Sequence, residues 1–397
     1  MIGHLAPPSV SRGEEKPVPA FYEFFAGGGM ARAGLVGWDC LFANDFDWKK
    51  GDVYRQNWGG GELLTEDVKK VGLADLPERT PDLVWASFPC QDLSLAGAGA
   101  GLKGDRSGTF WPFWHLIGKM SEAGRKPRLV ALENVLGTLT SHKGKDFSAI
   151  VSAFDDAGYD VGALVIDAEI FVPQSRPRLF FVGVDRATSI PGQLKRAAPH
   201  PTFHPQALQR AWANLSSAEQ AAWVWWDLPT PPARRKKLID IVEAEPSDVE
   251  WHTPAETKRL TDMMAPLHRT KLDNAIKSGV PAVGAVYRRT RRNQHDEPVQ
   301  RAEVRFDDVA GCLRTPAGGS SRQILMLVAD GRVRSRLISG RETARLMGLP
   351  DSYLLPNRYN ETYHLTGDGI VVQAVTHLSN HLLRPLSGDP IEHQDAA

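Results

Sequence analysis

A chain of 397 residues, 42% hydrophobic and 24% charged, is long enough for a sizeable core and for two or three domains or one large domain with an insertion. Its 47 basic residues balance 47 acidic ones, which excludes a uniformly basic nucleic-acid coat and leaves only local patches to be sought. No apolar run is long enough to span a bilayer and no basic-then-apolar leader opens the chain, so a cytoplasmic protein is expected.

Residues 1–19 are rich in Pro, Ser and charge, lack an apolar period and read as a flexible tail. FYEFFAG then has the density of a buried strand, and GGMARAGLVG reads as a glycine turn feeding a short helix. CLFAND follows as a second strand, DVYRQNW as a helix, PDLVWASF as a third strand and FWPFWHLIGKMSEAG as a helix. RLVALENV is a fourth strand and KDFSAIVSAFDDAGYD another helix; VGALVIDAEI and RPRLFFVGV add two strands, read as an antiparallel pair at the sheet edge. Strands alternating with helices predict an α/β domain over 20–184 with a mainly parallel sheet and ligand sites at the strand C-terminal ends. Over 185–335 the texture turns Pro-rich, Trp-rich and charge-dense, which predicts a second, smaller domain. Residues 336–386 carry RETARLMGLPDSY, with helical spacing and a Pro stop, then a loop and a closing amphipathic helix returning to the first domain; 387–397 read as a tail.

The unusual residues fall at strand ends. Gly27, Gly28 and Gly29 follow the first strand, but a dinucleotide fingerprint would need glycine where Arg32 stands, which weakens a nicotinamide-cofactor reading. A tight glycine turn still lets backbone approach a ligand, although packing alone also explains it. Asp45 ends the second strand, where an acid grips a ribose hydroxyl. The three cysteines, Cys40, Cys90 and Cys312, are too few and too scattered for a disulfide framework or a structural zinc site. Cys40 and Cys312 read as small buried hydrophobes. Cys90, between Pro89 and Gln91 on the loop after a strand, reads equally as a presented nucleophile or as another buried thiol. Glu133 and Asn134 close another strand, as a solvated end or as a general acid with its neighbour. Arg176 and Arg178, spaced two apart in QSRPRLFF, share one face of an extended segment and suit a base carbonyl, a phosphate or an acid at the sheet edge. His200 with His204, and His377 with His381, lack the further ligands a metal needs, so no catalytic metal is expected. The Trp223, Trp225 and Trp226 cluster reads as local core rather than a base-stacking platform.

In order, FYEFFAGGGMARAGL, AND, SFPCQDLSLAG, LENV, QSRPRLFFVG, a variable insert, RETARLMGLPDSY and TGDGIVV resemble the DNA cytosine-C5 methyltransferase family from end to end. The resemblance implies a Rossmann-like S-adenosylmethionine-dependent methyltransferase fold with a smaller target-recognition domain. It also implies methyl transfer from S-adenosylmethionine to carbon 5 of a cytosine flipped out of double-stranded DNA. Carbon 5 is too electron-poor to take a methyl unaided. The resemblance makes Cys90 the nucleophile that adds at carbon 6, with Pro89 and Gln91 beside it, and Glu133 the acid at ring nitrogen 3. Asn134 would hold the loop, and Arg178 and Arg176 would bind the ring carbonyl or the adjoining phosphate. For the cofactor it implies Phe25, Ala26, Gly27, Gly29 and Met30, then Asp45 and Phe46, Asp67 and Val68 at the adenine, Thr109, and Asp368 and Ile370 in the closing motif. Where the family usually has Gly-Asn in that motif, this chain has Gly367, Asp368 and Gly369, which puts a carboxylate near the cofactor. The segment AGAGAGLKGDRSGTF looks like the family's moving loop over the flipped base. The insert would read bases while Arg288, Arg289, Arg291 and Arg292 hold phosphates. A monomer is implied, without metal or membrane, with a cognate restriction endonuclease acting separately if the chain serves restriction-modification.

Two rivals stand beside this reading: a tRNA cytosine-C5 methyltransferase, disfavoured by the long insert, and a DNA-binding protein without catalysis, disfavoured by Cys90, Glu133 and Arg178.

Overall fold

The computed structural model describes residues 17–89, 108–315 and 322–388. Its largest sheet has seven strands: β1 (Ala20–Phe24), β2 (Asp39–Asp45), β3 (Leu63–Thr65), β4 (Leu83–Ala86), β5 (Leu129–Val135), β6 (Tyr159–Asp167) and β7 (Pro177–Asp185). Their spatial order is β3-β2-β1-β4-β5-β7-β6. Neighbours from β3 to β5 pair in parallel, whereas β7 runs antiparallel to both β5 and β6. The chain winds outward from β1 to β3 and then, from β4, in the opposite direction. Such a reversal opens a crevice at the C-terminal ends of β1 and β4. Strand β3 escapes sequence reading because three half-buried residues, LLT, carry no period.

Side-chain alternation along the strands divides the core into two layers. Phe21, Trp85, Leu129 and Ala131 belong to one. Tyr22, Val84, Val130 and Leu132 belong to the other. The second layer is covered by Phe113 and Ile117 of α3 (Phe110–Glu122) and by Phe147, Ile150 and Phe154 of α4 (Lys145–Asp156). The first is covered by α1 (Met30–Gly34), with α2 (Trp48–Trp58) beside it, and by the last helices of the chain.

Past β7 the chain stays against this sheet. β8 (Lys195–Arg196) and β9 (Trp225–Trp226) pair with each other, α5 (Gln206–Ala213) and α6 (Ser217–Ala221) lie between them in sequence, and Trp223 bridges Val161 of β6. A Cβ at Gly162 would lie 1.9 Å from the Val224 carbonyl and 2.6 Å from Trp226 Nε1, so glycine is what lets this segment dock. The tryptophan cluster is therefore core. Beyond the composition change at residue 185, the chain as far as Trp226 still packs against β6.

A second sheet follows: β10 (Ala282–Arg292), β11 (Pro298–Arg305), β12 (Ile324–Ala329) and β13 (Arg332–Leu337), antiparallel throughout in the order β11-β10-β12-β13. Helices α7 (Pro254–Asp262) and α8 (Pro266–Lys277) cover it over Leu260, Leu272, Val286, Val304 and Met326. Helix α7 opens on a capping box between Thr253 and Glu256, with Pro254 in its first turn. Strand β12 pairs with β10 only from Ala282 to Val286, while β11 follows β10 as far as Arg292, so a two-stranded ribbon projects past the sheet.

The chain then returns through α9 (Gly340–Leu346), α10 (Tyr359–Asp368), α11 (Val372–Leu378), a π-helical turn and α12 (Arg384–Ser387). Helix α11 packs on α1 so closely that a Cβ at Gly34 would lie 2.5 Å from Val375 Cβ. Trp38 Nε1 donates to Ser379 Oγ at 2.9 Å.

Candidate active site

The turn after β1 is held by left-handed backbone. Phe25, Gly27 and Gly29 have φ of 58°, 55° and 78°. Glycine adopts this region freely, whereas a phenylalanine held there is strained, as backbone at functional turns often is. Asp45, at the end of β2, locks the turn: its Oδ2 accepts the Gly27 N–H at 2.7 Å and its Oδ1 accepts the Asp47 N–H at 2.8 Å. Burial pushes the Asp45 carboxyl up against the pull of these donors and of Lys50. The Gly28 carbonyl accepts from Trp58 Nε1 at 3.0 Å and from the Tyr353 hydroxyl at 2.6 Å. A Cβ at Gly28 would meet that hydroxyl at 2.4 Å, and one at Gly29 would meet Trp58 Nε1 at 2.3 Å. Protein packing thus demands glycine at 28 and 29, while Gly27 opens onto a cleft.

The second half of the site is built by β5 and β7. Glu133 pairs in register with Phe180, which sets Arg178 on the same face one diagonal step away. Their side chains meet, Arg178 Nε to Glu133 Oε1, at 3.0 Å, and both are largely buried. Next to Glu133, Asn134 donates through Nδ2 to the Phe88 carbonyl at 3.1 Å, and its Oδ1 accepts from the Val135 N–H and the Thr138 hydroxyl. The asparagine ties the end of β5 to the loop after β4. Cys90 and Gln91, next along that loop, lie outside the described residues, as does most of the glycine-rich segment after them.

Arg176 departs from its expected place beside Arg178. It is 1% exposed, and its Nη1 donates to the Leu313 carbonyl at 2.8 Å while its Nη2 donates to the carbonyls of Gly367 at 2.8 Å and Gly369 at 2.6 Å. Burial, with Arg178 nearby, pushes its pKa down to about 10. The shared-face rule holds only within a strand, and β7 begins at Pro177. Gln174 is also a structural pin, donating to the Leu346 carbonyl at 2.8 Å and accepting from the Leu313 N–H at 3.0 Å. Of the Gln-x-Arg-x-Arg side chains, only Arg178 meets Glu133. Cys312 is half-buried rather than core, with its sulfur 3.3 Å from Arg176 Nη1.

Both halves open into one cleft of 1880 Å³. Phe25, Ala26, Gly27, Met30, Asp45, Phe46, Asp368 and Ile370 line it, together with Pro89, Glu133, Asn134, Arg176 and Arg178. The other cofactor candidates are not on its wall: Gly29 backs onto Trp58, Asp67 caps a 3₁₀ turn by accepting the Lys69 N–H at 3.0 Å, Val68 is 4% exposed in the core, and Thr109 immediately precedes α3. Among the lining residues that sequence reading passed over, Glu23 and Lys50 bear on the chemistry. Glu23, the acid inside the aromatic strand, is 2% exposed; burial pushes it up to about 8, and one carboxyl oxygen has no hydrogen-bond partner. Its place in FYEFF was a visible signal. Lys50 gave none, because its partner is remote: its Nζ lies 2.7 Å from Asp368 Oδ2. The Thr315 hydroxyl donates to the other oxygen. Burial works to raise the Asp368 carboxyl, but Lys50 and Thr315 outweigh it and hold it below the usual range. The carboxylate added to the closing motif is thereby neutralised.

The opposite wall carries His268 and Lys271 of α8 and Arg288, Arg289 and Arg291 of the projecting ribbon. Arg289 and Arg291 share Glu303, and Arg292 pairs with Asp296 outside the cleft. Exposed pairs of this kind hold their partners only weakly. Among the described residues no group of three His, Cys, Asp or Glu is placed to hold a metal, and no helix is long and apolar enough to cross a membrane.

The family profile described as C-5 cytosine-specific DNA methylase matches residues 20–384. The chain is 26% identical over 383 residues to the Type II methyltransferase M.NgoFVII of Neisseria gonorrhoeae, covering 95% of this chain and 89% of the relative. It is 25% identical to M.HpaII of Haemophilus parainfluenzae, covering 92% and 89%. The fold is similar to that of S. pombe Dnmt2 methyltransferase, with a TM-score of 0.56 at 16% identity, covering 93% of this chain and 99% of that one. It is also similar to Entamoeba histolytica methyltransferase EhMeth, with a TM-score of 0.58 at 12% identity, covering 93% and 98%.

Proposed function

The chain belongs to the C-5 cytosine-specific DNA methylase family and is a DNA cytosine-5-methyltransferase, and from that premise we propose that it acts on a cytosine flipped out of a specific duplex sequence, through a covalent adduct with Cys90. The observation that carries this reading is the Asn134 bridge. The residue next to Glu133 holds the carbonyl of Phe88, two residues before Cys90, so the acid and the thiol-bearing loop are fastened to one another.

In this reading the Cys90 thiolate adds to carbon 6, and the ring electrons move toward nitrogen 3, where the Glu133 carboxyl supplies a proton or hydrogen bond. Arg178 fixes Glu133 and faces the adjoining ring carbonyl, absorbing the charge that develops there. Arg176 is a positioning residue that fastens Gly367 and Gly369 to the base end of the cleft. Once carbon 5 has taken up the methyl it carries both that group and its proton; a base removes the proton, the electrons of the C–H bond reform the 5,6 double bond, and the Cys90 sulfur leaves carbon 6 as thiolate.

The methyl donor is S-adenosylmethionine, which the family implies and which supplies an electrophilic methyl on a sulfonium. The cleft suits such a group: Asp45 stands at the end of β2, the 71% exposed ring of Phe46 stands at the rim, and a buried Glu23 oxygen lacks a partner. We assign target recognition to the second sheet with α7 and α8. Its arginine-dense ribbon has the form that enters a major groove. Relatives named as Type II methyltransferases support a role in restriction-modification.

The test is expression in a bacterial host without cytosine methylation, with Cys90→Ala as control and 5-methylcytosine mapped across the genome. A short recurring methylated sequence absent from the control is expected. Unmethylated DNA despite folded protein would refute the reading and redirect the search to tRNA. A duplex carrying 5-fluorocytosine should trap the Cys90 adduct on a denaturing gel, because fluorine cannot leave as the proton does.

A further inference from the structure

Lys50, in the first turn of α2, and Asp368, the last residue of α10, are 318 positions apart in sequence and meet at 2.7 Å on the wall of the cleft. Their side chains are 20% and 42% exposed, so the pair is open to whatever enters. Its surroundings fix its place along the cleft. The Lys50 stem runs beside the glycine turn, within 4.0 Å of where a Gly27 Cβ would stand, and its ammonium is held protonated by Asp368, Asp45 and Asp47 against the cost of burial. On the other side, the carbonyls flanking Asp368 belong to Arg176, whose neighbour Arg178 holds Glu133. The pair therefore lies between the carboxylate at the end of β2 and the base end of the cleft. A donor held at those two points has its sulfur between them, and its amino-acid arm branches from that sulfur.

An isolated positive ligand centre would call for a carboxylate alone. Here an ammonium and a carboxylate stand side by side, and each can exchange its present partner for a ligand group of the same charge. That exchange keeps every charge paired, so opening the bridge exposes no bare ion. The ligand chemistry that fits is a group carrying both charges on one carbon.

We propose that Lys50 and Asp368 form a cradle for an α-amino-acid zwitterion, Lys50 taking the α-carboxylate and Asp368 the α-ammonium of the methionyl end of the methyl donor. The inference rests on the cofactor reading above and adds Lys50, with a defined role for Asp368. The Thr315 hydroxyl on the second Asp368 oxygen holds that carboxylate in place while its other oxygen changes partner.

The test is calorimetric titration of the full chain with two ligands: S-adenosylhomocysteine, which carries the zwitterion, and 5′-methylthioadenosine, which has the adenosine thioether and no amino-acid end. Lys50→Met and Asp368→Asn are each expected to weaken S-adenosylhomocysteine at least tenfold while 5′-methylthioadenosine stays within twofold, which also reports an intact fold. Lys50→Arg, which keeps the charge, is expected to hold both ligands within about threefold and serves should Lys50→Met not fold. Equal weakening of both ligands in the folded variants would overturn the cradle in favour of a bridge that only shapes the cleft, and an unchanged S-adenosylhomocysteine affinity would overturn it outright. Wild-type protein that binds neither ligand would overturn the parent cofactor reading, an outcome visible before any substitution is made.

Discussion

Asn134 and Phe88 are joined by one hydrogen bond, Nδ2 to carbonyl oxygen at 3.1 Å, and through it the end of β5 governs the loop that leads to Cys90. Asn134→Ala removes the donor and frees Val135 and Thr138 from their shared acceptor. Single-turnover methylation should slow by about 10²-fold, the usual effect of losing orientation near reacting atoms, with cofactor affinity unchanged. Equal losses in turnover and cofactor affinity would mean that the bond serves the whole cleft rather than the loop.

Arg178 and Glu133 should be separable by their conservative variants. Glu133→Gln keeps a hydrogen-bonding amide and loses the proton, so turnover should drop by about 10²–10⁴-fold. Arg178→Lys keeps the charge and loses the planar fork, and should recover part of the activity that Arg178→Ala loses. Rates at saturating DNA decide it. Arg178→Lys no better than Arg178→Ala would show that geometry, not charge, is what the site requires.

Stability should peak near pH 6.5. Burial pushes His204 and His377 down to about 4, so between 6.5 and 4 the unfolded chain binds protons that the folded one refuses. Their contribution is complete above pH 6.5 and fades as pH falls, by about 1.4 kcal/mol per unit for each histidine. Glu23 acts in the opposite sense. With its folded pKa raised to about 8, the folded chain keeps a proton that the unfolded chain sheds above about 4.5, and stability declines from there to pH 8. Below 6.5 the lowered histidines, His200, His252 and His381 among them, outweigh Glu23, and above it the raised Glu23 carboxyl, with Asp45 shifted in the same sense, turns the slope downward. Urea midpoints across this range should show the maximum, and Glu23→Gln should flatten the alkaline side. A wild-type curve still rising at pH 8 would contradict the Glu23 assignment.

Arg336 and Glu342 form an ion pair at 2.6 Å with both side chains wholly buried, and Glu342 also accepts the Ser339 N–H at the start of α9. Glu342→Ala leaves a buried guanidinium uncompensated and should destabilise by about 3–5 kcal/mol. Replacing both with apolar residues of similar volume should recover most of that loss. Thermal unfolding of the single and double variants distinguishes the two, and a double variant as unstable as the single one would show that the capping bonds of Glu342 matter more than its charge.

Much of the sheet was legible because strands buried on both faces leave near-continuous apolar runs, unbroken in β4 and interrupted only by Glu23 in β1, while β3 left none. The strand placement of Glu133 and Arg178 was readable, and the register of those strands sets the face each presents. Arg176 was misread because spacing rules lapse one residue before a strand begins. Lys50 was invisible for another reason: a single lysine in a helix turn carries no period, and its meaning depends on a residue 318 positions away. The docking of Trp223–Trp226 was equally hidden, since these residues look foreign in composition yet bridge or fill space against β6.

The glycine turn after β1 is among the first described parts of this molecule to be synthesised, yet Tyr353 caps its Gly28 carbonyl and Met30 packs against Gly369. A nascent chain halted after residue 337 would already carry Cys90, Glu133 and Arg178, but the cleft wall from Leu365 to Ile370 would still be missing. The turn made first is thus completed only by segments made last.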